Sequence, residues 1–268
     1  MYITQDLKII QNRIFRIAII VRDILEKNNI PYFITYGTLL GAVRHKGFIP
    51  WDRDFDLCLF DETYEEALDC LRENLPKDMF VEYYDTEPLY FHGWAHIKDL
   101  NSEWIWKGEY QDSTYAHKGL SIDLFRTKKI PENQDKLYRA TRCVEYLDRR
   151  KRHNLITEDE YKRRINEEQL IIERERAIIN ENHLENIPDI YSFEIFYNDS
   201  LYVEDMLPLK KYIFENELFY GPNKADVLLT KCYGDYMTPP PEDQRYRHNL
   251  KDSIMIYEKN DEKYISVN

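Results

Sequence analysis

Cysteine is sparse. Cys58, Cys70, Cys143 and Cys232 are scattered with neither a C-x-x-C pair nor zinc-ligand spacing. They read as reduced, mostly buried thiols of a cytosolic protein, and a disulfide scaffold is excluded. Long hydrophobic runs are also missing. Residues 7–25 are rich in apolar side chains, but Lys8, Arg13, Arg16, Arg22 and Asp23 interrupt them. Such a stretch does not cross a membrane, and no signal-peptide pattern precedes it. The expected setting is the cytoplasm. Positive charge is in deficit, with 37 Lys and Arg against 49 Asp and Glu, for a net charge of −12. A general nucleic-acid binder has the opposite balance, so no nucleic-acid partner is expected. An acidic chain can still hold a phosphorylated ligand where its cations are local and a metal intervenes.

What is present points to one large domain or a core with an elaboration. The 268 residues are 43% hydrophobic, and the aromatic share of 14% comes chiefly from 22 tyrosines. The stretch around which the chain is organised runs from Tyr36 to Phe60. Asp52, Asp54 and Asp56 alternate with other residues just ahead of the apolar run Leu57 to Phe60. On an extended chain, residues i, i+2 and i+4 share a face, so the three carboxylates are expected to converge. Like charges held that close repel unless a proton or a cation sits among them. Oxygen ligands suit a hard ion, and Mg²⁺ binds through a few carboxylates plus substrate phosphates, with Mn²⁺ as the alternative. Just upstream, Ile30 to Tyr36 reads as a strand, Gly37-Thr38 follows, and Leu39 to Arg44 reads as a short helix. Strand, glycine, hydroxyl and helix start turn backbone N–H groups toward an anion. Arg44, His45 and Lys46 add positive charge, and Gly37, Thr38 and Arg44 are the expected phosphate contacts.

The run Gly37-Thr-Leu-Leu-Gly-Ala-Val-Arg-His-Lys-Gly-Phe-Ile-Pro-Trp-Asp52, followed by Asp54-Phe-Asp56, resembles the signature of the LicD family. That family comprises phosphotransferases on a nucleotidyltransferase fold, and its best-known members move phosphocholine from CDP-choline onto bacterial glycans. Fukutin-related ribitol-phosphate transferases share the core. One departure stands out: Arg53 occupies a position where family members often have Asp. On a strand its side chain points away from the three aspartates and leaves them intact. In the family an acidic residue in an I-D-h-F strand completes the site, and Asp123 in Gly119 to Phe125 matches it. The resemblance makes Asp123 a further metal ligand or the catalytic base, whereas a salt bridge to a basic neighbour is the plain alternative. Lys98-Asp99 resembles a K-h-x-D stretch, so Lys98 is either a phosphate contact or half of a surface ion pair. Farther on, Tyr233-Gly-Asp-Tyr-Met-Thr-Pro-Pro-Pro again resembles these proteins, with Arg245 and His248 as substrate contacts or parts of a fold-closing tail.

The remaining chain supplies scaffolding. Leu7, Ile10, Ile14, Ile17, Val21 and Ile24 form one helical stripe that packs on the sheet or, alternatively, makes a homodimer seam. Strands are expected at Phe80 to Tyr84, His92 to Lys98 and Trp104 to Trp106, after a helix from Glu62 to Leu75 that Pro76 stops. From Pro131 to Asn182 the chain is charged, lacks glycine and reads as two helices, the second opened by the capping box Thr157 to Glu160. Its basic run Arg149 to His153 is a solvated face balanced by the Glu-rich partner helix, or a peripheral contact with the inner membrane surface. Tyr212 to Pro222 reads as a hairpin turning at Glu215-Asn216, and a helix from Asp226 ends at Gly234. The expected fold class is α/β (α+β), and the resemblance makes it a nucleotidyltransferase-like mixed sheet flanked by helices with an added charged helical lobe. Residues 1–130 are assigned to the catalytic core, 131–200 to the helical lobe and 201–268 to a C-terminal segment packing back on the core.

The chemistry implied is a metal clamp on a diphosphate, with Asp52, Asp54, Asp56 and Asp123 as ligands and Asp54, Asp56 and Asp123 as catalytic groups. The carboxylates alone do not separate nucleotidyl transfer from attack on the distal phosphorus. The resemblance favours the latter, with a CDP-choline donor, CMP as leaving group and a glycan or teichoic acid precursor as acceptor. CDP-ribitol or CDP-glycerol is the alternative donor, and a non-catalytic metal or nucleotide module the alternative class. A glycosidase places its two carboxylates on separate strands, so D-x-D-x-D disfavours it. Choline needs aromatic faces, and Tyr83, Tyr84, Tyr90, Trp94, Trp104, Trp106, Tyr110 and Tyr115 are the available rings.

Overall fold

The computed structural model describes residues 2–4, 6–105, 115–181, 186–193, 199–245 and 253–257. After the short strand β1 (Tyr2–Thr4), helix α1 (Leu7–Lys27) opens at Asp6, whose carboxylate accepts from the Lys8 and Ile9 N–H groups at 2.8 and 3.3 Å. This capping satisfies donors that the first turn leaves without a partner. The predicted stripe faces inward: Ile10, Ile14, Ile17, Ala18, Val21 and Leu25 are buried, while Leu7 and Ile24 lie at its margins. The stripe is covered by the chain's own sheet and α3, so it is core rather than a dimer seam.

Strand β2 (Tyr32–Ile34), helix α2 (Tyr36–Arg44) and strand β3 (Asp56–Phe60) follow. Then come α3 (Tyr64–Asn74), β4 (Met79–Glu82), β5 (Ala95–Asp99), β6 (Ser102–Ile105) and the long β7 (Ser121–Pro131). The helical hairpin α4 (Asp135–Arg152) and α5 (Glu158–Glu181) comes next, with the Glu160 N–H bonded to the Thr157 hydroxyl at 3.2 Å. Strands β8 (Asp189–Ser192) and β9 (Ser200–Tyr202), helix α6 (Val203–Met206), hairpin β10 (Lys210–Phe214) and β11 (Glu217–Gly221), helix α7 (Ala225–Tyr233) and β12 (Ser253–Ile256) complete the order. Glu215 and Asn216 both take positive φ at the hairpin turn, and Gly234 takes positive φ after α7. Two successive positive φ values match the twist of the flanking strands.

The central sheet has seven strands, with β2-β3-β7-β5-β4 side by side and β8 and β9 along the far end of β7. Only β3 and β7 run parallel within it, and β7 is antiparallel to β5 and β8. The class is therefore a mixed α+β arrangement, as expected. Much of its centre is apolar, with Leu57, Cys58, Leu59, Ile97, Ile122 and Leu124 at 0% exposure. The hairpin and α7 contribute Phe214, Phe219, Leu228 and Leu229 to the same core. The basic run matches the balance by the partner helix only in part, through Lys151 and Glu158. Arg149 is buried, donating to the Phe91 carbonyl at 3.1 Å, Arg150 donates to the Leu155 carbonyl and the Tyr146 hydroxyl, and Lys151 pairs with Glu158. Arg149 thus ties the hairpin to the core, while Arg150 and Lys151 bond within it. No helix among the described residues is long and apolar enough to cross a membrane.

Candidate active site

Four neighbouring strands carry one polar row across the otherwise apolar sheet. Glu82 on β4 is paired in register with His96 on β5, His96 with Asp123 on β7, and Asp123 with Asp56 on β3. Side chains at paired positions share a face, so register alone assembles the row. His96 Nδ1 lies 3.0 Å from Glu82 Oε2, and His96 Nε2 lies 3.3 Å from Asp123 Oδ1. Lys98, two residues along the same strand face, reaches Glu82 Oε2 at 3.4 Å. Sequence reasoning missed Glu82 and His96, which come together only through sheet pairing. Their one sequence signal is a histidine between Ala95 and Ile97 and an acid closing an apolar strand.

Asp56 is held on three sides by α2 and the residue before it. Its N–H donates to the Thr38 hydroxyl at 2.8 Å, its carbonyl accepts from the Thr35 N–H at 3.3 Å, and its carboxylate accepts from the Gly37 N–H. Burial pushes its pKa well above the usual carboxylate range, and the charges of Asp123, Asp54 and Asp52 push it further. Thus Asp56, Asp123, Asp54 and Asp52 share one electrostatic neighbourhood, the convergence of Asp56, Asp54 and Asp52 being what the spacing predicts and that of Asp123 what the resemblance implies.

The geometric reason differs from the prediction. The strand begins only at Asp56, and residues 52–55 form a loop in which Asp52 Oδ1 accepts from the Arg53 and Asp54 N–H groups at 2.8 and 3.3 Å. A carboxylate that bonds the backbone just beyond it sets a turn, and a turn need not keep strand alternation. Asp52 still reaches the site: a Cβ on Gly37 would sit 3.0 Å from Asp52 Oδ2 and 3.8 Å from Asp56 Oδ2. Gln11 from α1 fixes the loop by donating to the Asp52 carbonyl at 2.7 Å. Arg53 points elsewhere, its guanidinium 4.1 Å from the centre of the Trp104 ring.

The expected phosphate contacts separate. Helix α2 starts at Tyr36 rather than Leu39, so Gly37 and Thr38 lie in its first turn. Thr38 is 2% exposed and its hydroxyl receives the Asp56 N–H, so it positions the residue that carries a site carboxylate. The Gly37 N–H likewise serves Asp56. Arg44 lies at the other end of the helix, where its Nη1 donates to the Tyr236 carbonyl at 2.5 Å. Lys98 and Asp99 do not form a surface pair. Both are buried, Lys98 against Glu82 and Asp99 against Arg13 at 2.8 Å. His248, Trp106 and Tyr110 lie outside the described residues. Of the other rings, Tyr83, Tyr90 and Tyr115 are buried in the core and Trp104 carries Arg53. Exposed Tyr84 lies beneath the Arg149 guanidinium. Trp94 is half-buried beside the polar row, its ring tilted 38° against Phe125 with centres 4.8 Å apart, and the His92 ring centre lies 5.1 Å away.

The row fits a divalent cation by its chemistry. The donors are carboxylate oxygens, as a hard ion requires. Buried Asp56 has three acidic neighbours and no lysine or arginine partner among the described residues. Uncompensated buried charge of this kind is costly without a counter-ion. As they stand, no three acidic, histidine or cysteine side chains among the described residues form a group that could hold a metal ion. Like charges stand apart until a cation draws them in.

Residues 29–136 match the family model described as LicD/FKTN/FKRP, nucleotidyltransferase domain. The chain is 24% identical over 256 residues to the lipopolysaccharide cholinephosphotransferase LicD of Haemophilus influenzae, covering 86% of this chain and 91% of that protein. Uncharacterized proteins of Rickettsia prowazekii and Rickettsia typhi are each 58% identical over a 40-residue segment, 15% of this chain. The family match spans the polar row from Asp52 to Asp123.

Proposed function

We propose that the chain, whose residues 29–136 match the LicD/FKTN/FKRP nucleotidyltransferase domain, is a metal-dependent phosphotransferase moving phosphocholine from CDP-choline to a glycan hydroxyl. The observation that carries this reading is the in-register row Glu82, His96, Asp123 and Asp56, with Asp52 and Asp54 at its open end. Asp52, Asp54, Asp56 and Asp123 would hold Mg²⁺, or Mn²⁺ in its place. When bound, the ion neutralises charge on the phosphoryl oxygens and on the departing nucleotide.

The chain's own residues do the rest. Thr38 and Gly37 fix the orientation of Asp56 through its backbone and carboxylate. His96 holds Asp123 in place, and Glu82 with Lys98 holds His96. Asp123 takes the proton of the acceptor hydroxyl as its oxygen bonds to the choline-bearing phosphorus. The bond from that phosphorus to the bridging oxygen breaks, and CMP leaves with the electron pair. Trp94 offers an aromatic face to the quaternary ammonium next to the row.

The test is CMP release from CDP-choline with Mg²⁺, with and without a bacterial glycan acceptor, alongside CDP-ethanolamine, CDP-ribitol and CDP-glycerol. Acceptor-dependent release with CDP-choline preferred supports the proposal. Equal use of an alditol donor overturns the choline assignment, and failure to bind any CDP compound overturns the transferase reading.

A further inference from the structure

Arginine is matched with acid through most of this fold. Arg13, Arg16, Arg22, Arg72, Arg126 and Arg139 each reach a carboxylate. Arg149 and Arg150 donate to carbonyls and a hydroxyl inside the fold, and Arg44 and Arg245 show no carboxylate partner among the described residues. Arg44, in the last turn of α2, donates from Nε to His45 Nε2 at 2.9 Å and from Nη1 to the Tyr236 carbonyl at 2.5 Å. Arg245, just after the turn Glu242–Gln244, donates from Nε to the Pro240 carbonyl at 2.8 Å. Its guanidinium lies 4.9 Å from the centre of the Trp51 ring, and the His45 ring meets the same indole edge to face at 6.2 Å. These contacts are a ring nitrogen, two carbonyls and an aromatic face, with no carboxylate partner among the described residues.

The two guanidiniums also act on each other. Burial lowers the Arg44 pKa, the Tyr233 hydroxyl opposes this, and the charge of Arg245 lowers it again. In a chain of net charge −12, with 49 acids available, two like charges held together without an acid form a place for an external anion. Each guanidinium has N–H donors beyond those used above, in the fork geometry that suits phosphate oxygens. The place is also connected to the polar row: Trp51 precedes Asp52, whose carboxylate lines Gly37 at the opposite end of α2. The seven-residue rise from Gly37 to Arg44 separates the two places by roughly 10 Å.

We propose that Arg44 and Arg245, with Trp51 as the floor, form a second subsite that takes a phosphoryl oxyanion. Resting on the transferase reading, its occupant is a phosphate of the nucleotide donor or a phosphate carried by the glycan acceptor. Calorimetric titration of the full chain with inorganic pyrophosphate in EDTA tests the subsite directly. Wild type binds, while Arg44→Gln and Arg245→Gln each bind roughly tenfold or more weakly. Asp56→Asn binds at least as well as wild type. Absence of pyrophosphate binding, or unchanged binding in both Gln variants, overturns the proposal. Arg245 lies in a surface segment, so its variant carries the test if Arg44→Gln melts early. Repeating the titration with CDP-choline and Mg²⁺ separates the sources: weakening in the Gln variants assigns the donor, and unchanged affinity assigns the acceptor phosphate. Arg-dependent pyrophosphate binding without CDP-choline binding leaves the subsite standing and sinks the transferase reading instead.

Discussion

Asp56 and Asp123 are paired in register on the one parallel strand pair of the central sheet, two carboxylates side by side where the neighbouring positions are apolar. Their mutual repulsion is part of what raises the Asp56 pKa, after burial itself. A group raised in the folded state opposes folding once pH climbs past its unfolded value, so ionised Asp56 is a liability at neutral pH without a cation. Asp56→Asn keeps an oxygen to accept the Gly37 N–H and removes the charge. The expected outcome is a higher melting temperature in EDTA together with a loss of CMP release of roughly a hundredfold or more. A lower melting temperature with activity retained would show that the row is structural.

Gly37 presents the complementary case. Its backbone φ is ordinary for a helix, so its lack of a side chain matters for space rather than conformation. An alanine Cβ would come within 3.0 Å of Asp52 Oδ2, a contact relieved if that carboxylate shifts by a few tenths of an ångström. Helix propensity favours alanine by up to about 1 kcal/mol. Gly37→Ala is therefore expected to leave stability unchanged or raised, and to weaken Mg²⁺ activation roughly tenfold by displacing Asp52. Gly41→Ala is the control, because its Cβ would lie 2.4 Å from the Gly47 carbonyl oxygen, which is backbone. That variant should lose about 1–3 kcal/mol in urea unfolding. If both variants lose stability alike, Gly37 is a packing residue.

The contrast between Asp52 and His96 shows what a sequence can carry. Local patterns were legible: the α1 stripe, the turn at Glu215-Asn216 and the stop at Gly234 each depend on residues within a few positions of one another. The clustering of Asp52, Asp54 and Asp56 was legible too, although the spacing did not disclose where the strand starts. Asp52 bends the loop through its own carboxylate, and only Asp56 enters the sheet. Glu82 and His96 were out of reach because their partners lie on other strands, and register across β4, β5 and β7 is a tertiary fact. The surface ion pair offered for Lys98 fails for the same reason, since its buried partner Glu82 is disclosed only by the fold.

Two ion pairs made by α1 should behave differently under mutation. Arg13 and Asp99 meet at 2.8 Å with side chains 3% and 2% exposed, and Asp99 also accepts from the Asn101 N–H at 3.0 Å. Arg13→Ala leaves a buried carboxylate without its cation, a loss of about 3–5 kcal/mol. Lys8 and Glu215 meet at 3.4 Å with Lys8 59% exposed, where solvent screens the attraction. Lys8→Ala should change stability by less than about 0.5 kcal/mol. Urea midpoints of the two variants provide the comparison, and similar losses would contradict the burial argument.

Asp199 gives the fold a pH dependence of its own. It is 1% exposed, and burial pushes its pKa up to about 6 despite Arg139 at 3.6 Å, the Cys232 thiol and the Tyr36 hydroxyl. Between the ordinary carboxylate value of 3.8 and about 6, the folded chain binds a proton that the unfolded chain does not. Stability from this group is therefore fully present below about pH 4 and is lost as pH rises through 6. Its size is on the order of 2–3 kcal/mol. Asp199→Asn should flatten the unfolding free energy across that window relative to wild type, because the amide has no proton to release. Parallel slopes for the two proteins between pH 4 and 6.5 would mean that Arg139 keeps Asp199 ionised throughout. Tyr36 is the first residue of α2, so the same titration acts at the base of the helix that holds Asp56.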